Sequence, residues 1–262
     1  MKRDGHIHSP YCPHGTSDQW VDYVETAIQW GYVEISFTEH APLPHGFKDP
    51  TPLADSAMKP ENLPKYLNEL EKIKQFYRKK IKINVGLEVD YIEAYEKETK
   101  DFLNEVGPQL DDAILSVHFL KKDLQYYCVD YSPDEFSSMI RVFQSVDEIY
   151  RIYYETLRCS LFSDLGAYKP KRIGHMTLVR KFHKRFPPKQ RFKKDILTIL
   201  DIIKEKDYEL DWNGAGTVKP LCQESYPPSW VADEARKRSI PLVYGSDAHR
   251  VKELNQGKEM AR

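Results

Sequence analysis

Four cysteines, Cys12, Cys128, Cys159 and Cys222, are spread over 262 residues, and no two form a Cys-x-x-Cys pair. Such spacing argues against a disulfide framework and for reduced thiols in a cytosolic protein. Surplus charge is also missing. With 39 basic and 40 acidic residues the net charge is -1, which leaves no bulk attraction to nucleic acid or to a membrane surface. No stretch approaches the length of a membrane span, and no apolar core of a leader follows Lys2-Arg3. The expectation is a cytoplasmic protein with neither a nucleic-acid nor a membrane partner. No repeat, low-complexity tract or linker interrupts the chain. What it does have is 40% hydrophobic and 30% charged residues, enough apolar material for a sizeable core. A single domain over residues 1–262 is expected, since barrels of alternating strands and helices commonly reach this length.

The pattern along the chain alternates. Short β-branched runs are expected at residues 3–8, 33–40, 81–90, 112–118, 172–176, 208–213 and 241–249. Between them, apolar residues at helical spacing predict helices from about Trp20 (capped by Ser17-Asp18) to Gly31, and over 61–80, 94–106, two segments within 133–165, 191–206 and 229–238. Residues 41–60 form a Pro-rich loop, of the length usually seen in a lid or binding loop. Seven strands alternating with helices imply an α/β fold with a parallel sheet, open or closed into a barrel. In such folds the site lies at the C-terminal ends of the strands.

Those ends carry the chemistry. His6 and His8 lie two apart on a strand, so both side chains face one side, and His14 follows on a Pro-rich loop. Later strands end in or near His40, Glu88, His118, His175, Asp247 and His249; only the sixth does not, unless Asn213 contributes. Any one of these histidines could be a satisfied core residue. Seven of the nine histidines gathered at strand ends or in an adjoining loop, with two strand-end carboxylates, fit that bland reading poorly. Imidazole-rich donors suit zinc, manganese, iron or cobalt. Nine donors exceed what one ion takes and fit a cluster of two or three. Asp4 is placed to orient a ligand histidine from behind. Arg180, past the fifth strand, has the fork geometry to hold a phosphate, although its neighbourhood up to Lys194 is basic and reads more readily as a solvated face. His45, in the Pro-rich loop, either touches substrate or caps a turn. Cys12 lies between two candidate ligands, and a metal-bound thiol there would be a surprise.

These motifs together resemble the polymerase and histidinol phosphatase (PHP) superfamily: His-x-His at the start, Thr38-Glu39-His40, Glu88 in Gly-Leu-Glu-Val-Asp, Ser116-Val117-His118, Ile173-Gly174-His175, and Gly245-Ser246-Asp247-Ala248-His249. The resemblance spans essentially the whole chain. The stretches from His8 to Gly15 and from Thr38 to Pro44 are similar to the HisK-type histidinol-phosphate phosphatases. The resemblance implies a distorted (β/α)7 TIM-like barrel with three divalent transition-metal ions. It implies a first ion on His6, His8, Glu88 and Asp247, a second on Glu88, His118 and His175, and a third on His14, His40 and His249. About a dozen residues follow His249, so any helix after the last strand is expected to be short or cut off.

On this reading two close ions share a hydroxide that attacks phosphorus, and the third holds phosphate oxygens as charge redistributes. Glu88, Asp247 and His249 are the residues expected to carry catalysis, with Asp247 or a water as the source of the proton for the leaving oxygen. The expected reaction is hydrolysis of a small phosphate ester, L-histidinol phosphate, in histidine biosynthesis. Alternatives are a phosphatase of the same superfamily acting on another ester, or a nuclease or polymerase-associated module using the basic stretch 180–194. Near-neutral charge and the lack of a polymerase domain weigh against the last.

Overall fold

The structure, a computed structural model, describes residues 2–261. Strands β1 (Arg3–Ile7), β2 (Glu34–His40), β3 (Lys82–Asp90) and β4 (Asp112–Ser116) are joined by helices α1 (Trp20–Gln29), α2 (Leu63–Tyr77) and α3 (Glu96–Val106). A hairpin, β5 (Phe119–Lys122) and β6 (Gln125–Cys128), precedes α4 (Pro133–Phe143) and α5 (Val146–Phe162). Then β7 (Arg172–Ile173), α6 (Lys193–Glu205), β8 (Glu209–Asn213), α7 (Ser229–Lys237) and β9 (Leu242–Gly245) complete the order. Strands β1-β2-β3-β4-β7-β8-β9 form one parallel sheet in that order. The seam between its edges is joined just beyond β9, where Ala248 bridges Ile7 and the His8 N–H donates to the Ala248 carbonyl at 3.0 Å. The expected (β/α)7 barrel is therefore present and nearly closed. Its helices pack outside through side chains such as Val24, Tyr66, Leu103, Tyr153, Leu157 and Ile199, all buried.

Local chemistry explains the element boundaries. Ser132 and Ser145 accept hydrogen bonds from the N–H of Glu135 and Glu148, each at 3.0 Å, so the expected pair of segments within 133–165 divides into two separately capped helices. The first helix is capped differently from expectation: its Ncap is Gln19, braced by Asp22, while the Asp18 carboxylate accepts from the Val251 N–H at 2.7 Å. The β5–β6 hairpin was not expected. Its strands have four residues each, too short for alternation to stand out, and it turns at Asp123 with φ 55°. At the end of α5, the Lys169 ammonium donates to the carbonyls of Ser160, Leu161 and Ser163 at 2.7, 3.0 and 2.7 Å, satisfying groups the helix leaves open. Lys169→Met should lower unfolding stability by about 1–3 kcal/mol, read from a denaturant midpoint, with turnover unchanged.

The lower end of the barrel is sealed by polar side chains. Arg172, 2% exposed, donates to the Asp112 carboxylate at 2.8 Å and to the Gly5 carbonyl at 2.9 Å. Arg3 and Ser36 donate to the same Asp112 oxygen, and Asn84 to Ser36. Arg3 thus points at this floor while His6 and His8, of opposite parity, point at the mouth. A β-bulge between Asp4 and Ile7 supplies the one-residue slip that makes both possible. No described helix is long and apolar enough to cross a membrane.

Candidate metal centre

Parallel register brings the strand-end residues together. His40 is the cross-strand partner of Glu88, and Asp90 of Ser116. Asp247 takes φ 54° just after β9, and its N–H donates to the His6 carbonyl at 2.7 Å, so the chain turns back over β1. The resulting donor groups are His6, His8 and Asp247; Glu88, His118 and His175; and His8, Cys12, His40 and His249, each with its ligand atoms within 4.8 Å of one another.

Glu88 is central and 1% exposed. Its Oε1 lies 2.8 Å from His175 Nε2 and 3.8 Å from His118 Nε2. Its Oε2 lies 3.1 Å from His40 Nδ1, 3.4 Å from His6 Nε2 and 3.6 Å from His8 Nε2. The two oxygens thus face two different sets of imidazoles.

His14 is the outermost expected ligand. Its ring centre is 4.9 Å from that of His249 and 5.2 Å from that of His40, and its Nδ1 hydrogen-bonds the Asp55 carbonyl at 2.9 Å. Cys12, which the sequence reading set aside, is buried, and its sulfur falls into the group with His8, His40 and His249. Burial pushes its thiol well above the usual range.

Three of the seven candidate imidazoles are braced from behind by carboxylates that the sequence pattern does not reveal. His6 Nδ1 is 2.8 Å from Asp211, His8 Nδ1 3.1 Å from Glu39, and His118 Nδ1 2.7 Å from Asp90. A carboxylate on one ring nitrogen fixes the tautomer and directs the other nitrogen forward. Asp4 was expected to do this for a ligand ring; it instead accepts from the backbone N–H groups of His6 and Ser246. The sixth strand contributes through Asp211, while Asn213 donates to Asp211 and Asp247 at 3.1 Å each. Two motif glycines are required by this packing. A Cβ at Gly245 would collide with Asp211 and His6, and one at Gly174 with Ser116, whose hydroxyl donates to Glu88 at 2.6 Å.

Burial disfavours charge throughout, yet the opposite charges outweigh it for several groups. Asp211, Glu88 and Asp247 hold His6 well above the usual imidazole range. His8 is raised to about 9 by Asp247 and Glu39, and His118 to about 10 by Asp90 and Glu88. Glu88 and Asp247 are correspondingly held well below the carboxylate range, chiefly by His6 once burial is overcome. Farther out, burial and the neighbouring histidines lower His14 to about 4 and hold His249 well below its usual value.

The donors fit divalent transition metals on the structure's own terms. His6 Nε2 and His40 Nδ1 are buried without a hydrogen-bond partner, both within 3.4 Å of a Glu88 oxygen. Buried imidazoles and carboxylates converging in this way form a ligand set for borderline metals.

His14, His40, Glu88, His118, His175, Asp247 and His249 line a cavity of about 490 Å³ that also meets Asp130, Lys181, Lys219, Tyr226 and Arg250, while His6 and His8 lie behind its wall, fully buried. Arg180 and His45 are not among its lining residues. The Arg180 guanidinium pairs with Glu224, and His45 lies exposed on its loop.

Barrel and mouth together define a metal-dependent α/β-barrel enzyme. The chain belongs to the PHP domain family, whose model matches residues 4–215. It is 45% identical to the histidinol-phosphatase of Bacillus subtilis (strain 168) over 261 residues, covering 99% of this chain and 97% of that protein. Its structure superposes on the hisK protein of Listeria monocytogenes with a TM-score of 0.96 and 38% identity, covering 100% of both chains. The histidinol phosphate phosphatase of Lactococcus lactis subsp. lactis, solved with zinc, L-histidinol and phosphate, shares the fold. There the TM-score is 0.71 and the identity 22%, over 95% of this chain and 87% of that one.

Proposed function

We propose that this chain, as one domain over residues 1–262, is a cytoplasmic phosphomonoesterase that hydrolyses L-histidinol phosphate to L-histidinol and phosphate in histidine biosynthesis. The observation that carries the substrate is the full-length 45% identity to the Bacillus subtilis histidinol-phosphatase. The mouth supports the reaction class. His6, His8, Glu88 and Asp247 would hold one ion, Glu88, His118 and His175 a second, and His14, His40 and His249 a third. The groups His6, His8, Asp247 and Glu88, His118, His175, with the divided orientation of the Glu88 oxygens, favour the first two sites, and the third is favoured by the His14 ring lying 4.9 Å from that of His249 and 5.2 Å from that of His40. Zinc, manganese, iron or cobalt, when bound there, supplies Lewis acidity toward phosphoryl oxygens and lowers the pKa of water. The protein's own part is orientation. Asp211, Glu39 and Asp90 lock three rings, and Asp247 or a water supplies the proton to the leaving oxygen. Phosphate release should favour histidinol phosphate over para-nitrophenyl phosphate, nucleotides and single-stranded DNA ends, by about three decades or more in kcat/KM. Equal turnover of a nucleotide or a DNA end would overturn the assignment.

A further inference from the structure

The short 3-10 helix Leu178–Phe182 sets consecutive side chains about 120° apart, so adjacent cations on it serve different surroundings. Arg180 is spent on Glu224, whereas Lys181 lines the cavity. We propose that Lys181 is the protein's own phosphate-binding cation, donating to phosphoryl oxygens beside the metal centre, and that Asp130 is the positioning residue that holds it there. The inference rests on the phosphomonoesterase reading above.

Geometry carries it. Lys181 Nζ lies 2.8 Å from Asp130 Oδ2, and the other Asp130 oxygen accepts from the Cys128 thiol at 3.3 Å. Asp130 therefore has both oxygens engaged and acts as an anchor. Lys181 makes this one hydrogen bond among the described residues, so its ammonium keeps two donors for a molecule in the cavity. The pair sits between the ligand groups: Asp130 is within electrostatic reach of His118 and His175, and Lys181 of Asp247. Burial works against the ammonium, but Asp130 outweighs it and keeps Lys181 charged.

The other cavity cations are placed less well. Lys219 is exposed, and Arg250 is engaged with Glu253 at 2.9 Å. A compact ammonium suits a phosphate as a point charge. Aimed at the non-bridging oxygens, it stabilises the charge that gathers there in the transition state.

The test compares Lys181→Met, Lys181→Arg and the double variant Lys181→Met with Asp130→Asn, each loaded with metal. KM for histidinol phosphate, the inhibition constant of inorganic phosphate, and metal content are measured. Lys181→Met should raise both constants about ten- to a hundredfold with metal content unchanged, and Lys181→Arg should recover most of the loss. The double variant removes the unpaired buried carboxylate, so it regains stability without regaining phosphate affinity. Wild-type phosphate inhibition in Lys181→Met, or its full recovery in the double variant, would overturn the assignment. So would a defect that vanishes with para-nitrophenyl phosphate, whose good leaving group would mark Lys181 as a proton donor instead. If the wild type binds inorganic phosphate but leaves histidinol phosphate intact, the substrate reading fails while the role of Lys181 is still judged by phosphate inhibition of para-nitrophenyl phosphate turnover.

Discussion

Glu88→Gln should reduce turnover by about a thousandfold or more, with loss of metal from two of the three proposed sites and little change in fold. The side chain lies among five imidazoles, those of His6, His8, His40, His118 and His175. Removing its charge leaves those rings, or the cations they hold, without their shared counter-charge. An amide also replaces one acceptor oxygen with an N–H donor aimed at ring nitrogens. The size of the group is kept, and the Ser116 hydroxyl can still donate to the remaining carbonyl. Elemental analysis, circular dichroism and phosphate release on the same sample separate the possible causes. Retention of most metal and most rate would remove Glu88 from the centre of the mechanism.

Stripping metal with a chelator should abolish phosphate release, and reloading should restore it as content approaches three ions per chain. A fully active sample saturating at one ion would contradict the trinuclear proposal. The reloading should also acidify the medium. In the metal-free protein His6 is held well above its usual range, His8 at about 9 and His118 at about 10, so all three carry protons at neutral pH. A cation must displace those protons to bind. Affinity should therefore fall as pH drops below about 9, by about one decade per pH unit for each proton displaced. Metal titration into weakly buffered protein with a pH indicator measures the release. Pick-up of metal without any release would show that these rings are neutral beforehand.

Much of this site was legible because strand ends in a parallel barrel meet at one mouth. A histidine or carboxylate at the end of β2 or β3 is brought there whatever its distance along the chain. The supports behind the ligands were not legible in the same way. Asp211 acts from within β8, two residues before the strand end inspected for ligands. Glu39 neighbours His40 on β2, where alternation alone sends it to the other face, yet it braces His8. Arg180 and Lys181 differ only by the phase of a short 3-10 helix, which composition does not encode. The bulge in β1 was equally hidden, because a one-residue slip changes which side chains point inward without altering the hydrophobic pattern.

The polar floor built on Arg172 and Asp112 makes the barrel a blind well. Everything that reaches the bottom arrives and departs through the same opening. If a phosphate ester is cleaved with its phosphoryl end lowermost, against the imidazoles, the alcohol half lies above it and blocks the way out. Departure then has a fixed sequence, alcohol first and phosphate last. Steady-state kinetics inherit that sequence: phosphate competes directly with incoming ester for the emptied well, whereas the alcohol binds back to a well still holding phosphate and inhibits noncompetitively.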